Sequence, residues 1–421
     1  MKNYQLFIKT LSDLIAFKTV QGAKSENAPF GIENKNALDY TLSLAKEFGF
    51  ETINYNGYIG EVSFGNGEEI GIIGHLDVVP EGEGWDTDPY TLTIKDGYLY
   101  GRGVSDDKSP ILLCLFALKE LKDSNIVPNK KFRLFFGLNE ENGWKDVDYL
   151  KTQTTLPKKG FSPDADFPVI YAEKGPSRID FYLSIPKNLT DISTIGNAGN
   201  AVPNHAYIKA PIDKTLIEKY NLKIKGDKIE SFGKSAHGSK PHLGKNALKP
   251  LFEYLNELNG GKLNDLVDNF FNDAQKISQY GNETGYATFS PNLARIENGY
   301  LVISVDFRTP AKLKIEQFYP LFNNICSNYK LTRFRKPHFV DPNSNFVKTL
   351  VNAYNSIMNS ELKPVSCSGA TFAYVFEMGV AFGPEFIGSD NKIHEPNECM
   401  SEKELLLAYE IYKKALFDLA K

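Results

Sequence analysis

Cysteine is scarce. Four residues, Cys114, Cys326, Cys367 and Cys399, are scattered through 421 positions with no thiolate-type metal spacing. That argues against a zinc-ribbon centre or a disulfide scaffold and for reduced thiols in a cytoplasmic protein, packed as small apolar side chains. Long runs of like charge are missing too. The 48 basic and 52 acidic residues leave a net charge of −4, so nothing favours a nucleic-acid partner. Residues 1–17 carry apolar positions at helical spacing broken by Lys9 and Asp13, and read as an amphipathic helix rather than a signal peptide or a membrane span. No low-complexity tract or internal repeat is present. The expectation is a cytoplasmic chain with neither nucleic acid nor membrane as partner.

What is present is ordinary globular composition, with 42% hydrophobic and 24% charged residues. The length exceeds the roughly 250–300 residues at which one core stops growing, so two domains are expected. The first half alternates helical and extended patterns, an α/β arrangement. Residues 36–48 have helical spacing and end at Gly49, while residues 69–74 form a short, largely apolar strand before His75. Residues 109–121 open with Ser109 and Pro110 as cap and first-turn proline, and residues 131–138 alternate like a strand that runs into Glu140 and Glu141. A capping-box pattern at Ser401–Glu404 opens a C-terminal helix. The middle is richer in Lys, Asn and Asp, with short strand-like runs such as residues 301–305. It reads as an inserted α+β domain over 178–341, with 1–177 and 342–421 forming the first domain.

Five segments place acids and histidines at the ends of expected strands, where open α/β sheets hold ligands. They contain His75 and Asp77, Asp106 and Asp107, Glu140 and Glu141, Asp164, and His394. Taken singly each is weak, because a lone histidine is more often structural and paired acids are more often solvated surface charge. An apolar run leading straight into such residues puts them at the mouth of a core, where converging carboxylates repel unless cations compensate them. Asp106, Glu141, Asp164 and Glu140 together match the formal charge of two divalent ions. Two imidazoles and three carboxylates, one shared, give each ion three ligands and leave a position for water, as in catalytic sites. With no thiolate, the donors suit zinc, and Mn²⁺ or Co²⁺ also fit.

Six stretches carry a resemblance: GHLDVVPEGEGWDTDPY, LYGRGVSDDKSP, LNEENGW, FSPDADFPVIYAEKGP, GKSAHGSKPHLGKNAL and GSDNKIHEPNE. In this order they resemble the co-catalytic metallopeptidase family of acetylornithine deacetylase, succinyl-diaminopimelate desuccinylase and carboxypeptidase G, and within it the dipeptidase V (carnosinase-like, Xaa-His dipeptidase) branch. The resemblance implies a catalytic domain with a mixed central sheet flanked by helices, plus an inserted α+β (ferredoxin-like) lid. It implies that His75, Asp106 and Asp164 hold one metal ion and that His394, Asp106 and Glu141 hold the other. Glu140 would be the general base and Asp77 the orienter of His75. The Asp106–Asp107 peptide would be cis. In the lid, His237 would donate to the oxyanion, and Asn200 and Arg308 would grip a substrate carboxylate, for which a guanidinium fork is suited.

The loop around Ser368 and Gly369 corresponds to a further substrate-binding stretch, here with Ala370 and Tyr374 where the family differs. The implied activity is a hydrolase, a metal-dependent dipeptidase cleaving small unblocked dipeptides with a free C-terminal carboxylate through a metal-bridging hydroxide. An N-acyl-amino-acid deacylase or desuccinylase is the alternative, and a catalytically silent binding protein the alternative of another class. The long insertion further implies a monomer.

Overall fold

In the computed structural model, the apolar run before His75 is the strand Glu68–His75, buried from Ile70 onward. Beside it runs Lys130–Gly137, buried from Phe132 onward. Every residue except 125, 197 and 198 is described. The chain forms two compact units, one of residues 1–171, 340–365 and 371–421, the other of residues 172–339 and 366–370.

The first unit is built on a mixed sheet in the order Glu51–Tyr55, Ile59–Gly65, Lys130–Gly137, Glu68–His75, Lys159–Ser162, Met378–Ala381. The first two joins are antiparallel and the next three parallel. Register sets His75 opposite Gly137 and Ile72 opposite Phe161, so three adjacent parallel strands end along one edge of the sheet. Their near-continuous apolar runs are what strands buried on both faces require. Six helices accompany the sheet among the described residues: Tyr4–Ala16, Ile32–Glu47, Lys108–Asp123, Lys145–Gln153, Asn345–Met358 and Glu402–Leu419. Lys108–Asp123 is buried all round from Lys108 to Leu118, which is why it shows little polar face in sequence.

Two expected caps differ in detail. Asp107, not Ser109, is the N-cap residue of Lys108–Asp123, and Ser109 Oγ donates to the Val104 carbonyl instead. Asp107 is held there because its carboxylate accepts the amide of His75. Ser401 Oγ does accept the Glu404 amide, but the Glu404 carboxylate takes Ser389 Oγ rather than closing the box.

In the second unit, strand Gly175–Leu183, helices Leu248–Leu258 and Asn264–Phe271, strands Thr288–Glu297 and Tyr300–Thr309, helix Tyr319–Ile325 and strand Tyr329–Phe334 follow in βαββαβ order. The four strands form one antiparallel sheet in the order Thr288–Glu297, Tyr300–Thr309, Gly175–Leu183, Tyr329–Phe334, a ferredoxin-like topology. A second antiparallel sheet, Asp191–Thr194, His205–Lys209, Lys228–Phe232 and Lys223–Lys225, is inserted between the first strand and the first helix. Ile179, Phe181, Ile208, Ile229, Leu251 and Phe307 share one buried apolar cluster that serves both sheets.

Candidate metal centre

The common edge of the parallel strands brings together the acids and imidazoles that sequence singled out. His75 is the last residue of its strand and is fully buried. Its Nδ1 lies 2.9 Å from the Asp77 carbonyl oxygen and 3.5 Å from the Asp77 carboxylate. A carbonyl can only accept, so Nδ1 carries the proton and, in the neutral ring, Nε2 presents a lone pair. That lone pair faces carboxylates, Asp106 Oδ1 at 2.9 Å and Asp164 Oδ2 at 3.8 Å, and has no hydrogen-bond partner.

On the other side His394 Nε2 lies 2.9 Å from Asp106 Oδ2 and 2.9 Å from Glu141 Oε1. A single N–H cannot serve two carboxylates well, whereas a cation can take all three donors. Each set, His75–Asp106–Asp164 and Asp106–Glu141–His394, offers three ligand atoms within 4.8 Å of one another. Bonds of roughly 2.0–2.2 Å at tetrahedral angles put ligand atoms about 3.4 Å apart, close to what is found. The residues of each set therefore fit a divalent ion, and Asp106 belongs to both sets, with Oδ1 toward His75 and Oδ2 toward His394.

The charges point the same way. Burial pushes His75 down, but Asp106 and Asp77 outweigh it and raise it well above the ordinary histidine value. His394 is likewise depressed by burial and raised by Asp106 and Glu141, to about 11. Burial raises Asp164 and Glu141, and the charge of Asp106 adds to both. Glu140 is raised to about 8, first by burial and then, against the pull of His75, by Glu141 and Asp106. This much negative charge in one place is short of cations.

A layer of further carboxylates fixes the backbone that carries these groups. Asp77, expected to orient His75, spends its carboxylate on the amides of Glu140 and Glu141, 3.2 Å each, and holds the imidazole mainly through its carbonyl. Asp107 accepts the His75 amide at 3.0 Å, so close to Gly74 that a Cβ there would lie 2.1 Å from its oxygen. That approach requires glycine. Asp146, fully buried, accepts the amides of Leu138 and Asn139 at 2.8 and 2.9 Å and fixes the turn into Glu140. The Asp106–Asp107 peptide is cis. Asp107 and Asp146 went without a role in the sequence reading. Asp107 could have been suspected from its place in the Asp-Asp pair, but no sequence signal marks Asp146.

In the second unit, His237, Asn200 and Arg308 meet around Gly238. The Gly238 amide donates to the Asn200 carbonyl at 2.6 Å, Ala201 forms a β-bridge with His237, and a Cβ on Gly238 would lie 2.9 Å from Asp306 Cγ. Arg308 is buried and grips Asp306 with two bonds, Nε–Oδ1 at 2.7 Å and Nη2–Oδ2 at 3.0 Å. His237 Nδ1 lies 2.6 Å from Ser239 Oγ and 3.2 Å from the Ser239 amide, which leaves Nε2 for other partners. Ser368 and Gly369 are half-buried in the segment 366–370, which belongs to this unit.

Shared-carboxylate sites of this kind serve hydrolytic metal chemistry, which sets the chain among metal-dependent hydrolases. More narrowly, it belongs to peptidase family M20/M25/M40, which matches residues 71–418. It is 31% identical over 455 residues to a protein of Staphylococcus epidermidis described as "Putative dipeptidase", covering 98% of this chain and 96% of that one. In fold it is similar to human carnosine dipeptidase 1, with a TM-score of 0.63 at 14% identity over 99% of this chain and 96% of that one. The yeast dipeptidase Dug1p gives 0.62 at 14% identity, covering 100% and 96%. No helix among the described residues is long and apolar enough to cross a membrane.

Proposed function

We propose that this chain is a metal-dependent dipeptidase that hydrolyses small unblocked dipeptides bearing a free C-terminal carboxylate. The observation that carries the reading is the pair of three-ligand sets sharing Asp106 beside Glu140, a half-buried carboxylate outside both sets. The dipeptidase named in the curated relative supports the substrate class.

His75, Asp106 and Asp164 would hold one ion and Asp106, Glu141 and His394 the other. Zinc is the first choice, with Mn²⁺ or Co²⁺ also suited to these donors. Bound there, two such ions polarise a scissile carbonyl and lower the pKa of water. Glu140 acts as the general base, taking a proton from the attacking water and returning it to the leaving amine. Asp77 keeps Glu140 and Glu141 in place through their amides while its carbonyl fixes the tautomer of His75. In the second unit, which we assign as the lid, His237 offers Nε2–H to a developing oxyanion. Asn200, Arg308, Ser368 and Gly369 are assigned to the substrate carboxylate. Because Asp306 already occupies two edges of the Arg308 fork, the proposed contact would use Nη1.

The test is a panel of free dipeptides and N-acyl amino acids offered to the metal-loaded protein. Turnover of dipeptides supports the reading; cleavage of the N-acyl compounds alone would make the chain a deacylase. No turnover with metal bound would make it a binding protein. We further propose a monomer, as the inserted sheet enlarges the lid, and a stable dimer in light scattering would overturn that.

A further inference from the structure

Glu398 lies outside both ligand sets, yet few side chains in the first unit are as fully engaged. It is 1% exposed and its two oxygens take four donors. Oε2 accepts Arg102 Nη1 at 2.8 Å and the Gly103 amide at 3.0 Å; Oε1 accepts the amides of Ser105 at 2.9 Å and Asp106 at 3.1 Å. The last is the amide of the aspartate that both ligand sets share.

Neighbouring bonds tie the same two stretches together. The Gly101 amide donates to the Glu398 carbonyl at 3.2 Å, Ser105 Oγ to the Cys399 carbonyl at 2.9 Å, and Cys399 pairs with Tyr100 in an antiparallel ladder. Arg102, also 1% exposed, neutralises Glu398 and reaches the carbonyls of Pro80 and Glu81 at 3.3 and 3.1 Å. Glu398 follows His394 by four residues, and His394 sits at φ 64°, a conformation that a side chain other than glycine keeps only where its surroundings hold it. One carboxylate thus fastens the loop that presents Asp106 to the loop that presents His394.

We propose that Glu398 is a positioning residue that sets the mutual geometry of Asp106 and His394, and so the affinity and coordination of the metal centre. This rests on the two-metal reading above. The physical case is that a loop without regular hydrogen bonds keeps a ligand in place only if its amides have partners, and here a single buried group supplies three of them. Glutamine in its place keeps the volume but turns an NH₂ toward those donors and leaves Arg102 without its counter-charge. Aspartate keeps the charge but is one methylene too short to span both pairs of donors.

The experiment compares the wild type with Glu398→Gln and Glu398→Asp. Zn²⁺ and Co²⁺ affinity is read by calorimetry, the Co²⁺ d–d spectrum reports coordination, and hydrogen exchange of residues 101–107 is followed without metal. The expected result is a Kd raised about 10- to 100-fold, an altered Co²⁺ spectrum and faster exchange confined to that loop and its partner strand. If Glu398→Gln does not fold, Glu398→Asp is read in the same way. Unchanged Kd and spectrum in a folded variant, against a wild type that binds metal, would overturn the positioning role alone. A wild type that binds neither ion would overturn the two-metal reading, and this inference with it.

Discussion

The indole nitrogen of Trp144 donates to Glu140 Oε1 at 3.0 Å. Trp144 is held by edge-on packing against Phe372, with ring centroids 5.0 Å apart, and against Tyr374 at 6.3 Å. The proposed base is thus aimed by an aromatic side chain from the following turn, where Trp144 itself takes φ 68° after Gly143 at φ 123°.

That contact separates two substitutions. Glu140→Gln removes the base and leaves both ligand sets intact, so kcat should fall by about 10²–10⁴-fold while metal content stays at the wild-type level. Trp144→Phe keeps most of the aromatic packing and removes one charge-assisted hydrogen bond, so a loss of roughly tenfold in kcat is expected, with KM little changed. Steady-state kinetics together with metal analysis by mass spectrometry check both. Unchanged turnover in Glu140→Gln would remove Glu140 from the mechanism.

Metal removal should expose the electrostatics of the site. Glu140 at about 8 and His394 at about 11 both lie above their ordinary values of 4.5 and 6.5. His75 is raised as well. A group whose folded pKa is raised contributes stability that is complete below its unfolded value and is lost as pH rises through the folded one. In EDTA the melting temperature should therefore fall as pH rises from 5 to 9, by roughly 5 °C or more. Loaded protein should lack this slope, because the ions replace the protons. Metal affinity should rise over the same range, and calorimetry in buffers of different ionisation enthalpy should show proton release on binding.

Much of this centre was legible because its parts interrupt regular patterns. His75, Glu140 and Glu141 follow apolar strands, and Asp106 and His394 stand in short polar stretches with little else to recommend them. What stayed hidden was the support. Asp146 and Glu398 act through backbone amides, and an amide leaves no mark on sequence at the position it occupies. The Asp77 carboxylate lies 3.5 Å from His75 Nδ1, but its bonds to two amides across the strand ends left no mark on sequence. The second antiparallel sheet of the second unit was also beyond pattern reading, because it is inserted between the first strand and first helix of the ferredoxin-like sheet and shares its core.

Asp146 gives a test of that hidden support. Alanine at this position leaves the buried amides of Leu138 and Asn139 without partners, at about 1–3 kcal/mol each. Asparagine restores one acceptor oxygen and should recover part of the loss. Because Glu140 and Glu141 follow immediately, Asp146→Ala should also lower kcat more than its stability loss explains. Denaturant titration and kinetics on the folded fraction separate the two effects.

A control of opposite character lies in the strand Lys130–Gly137, which runs toward Glu140. Arg133 binds Glu61 through two bonds, Nε–Oε1 at 2.7 Å and Nη2–Oε2 at 2.8 Å, with both side chains nearly sealed from solvent. Arg133 stands four residues before Gly137, about 13 Å along an extended chain from the edge that holds the metal ligands. Glu61→Ala takes away the buried partner of the guanidinium and leaves it only the more exposed Glu69, where full loss of a buried partner costs about 3–5 kcal/mol. The other bonds of Arg133, to the Thr155 carbonyl at 2.7 Å, to Glu69 at 3.0 Å and to Thr154 Oγ1 at 3.2 Å, favour the lower end of that range. Replacing both partners, as in Glu61→Leu with Arg133→Met, should cost far less than Glu61→Ala, because no charge is left buried alone. Neither change should alter metal affinity or kcat of the folded protein. If Glu61→Ala weakened metal binding as strongly as Glu398→Gln, the effect of Glu398 would be ordinary loss of stability rather than placement of Asp106.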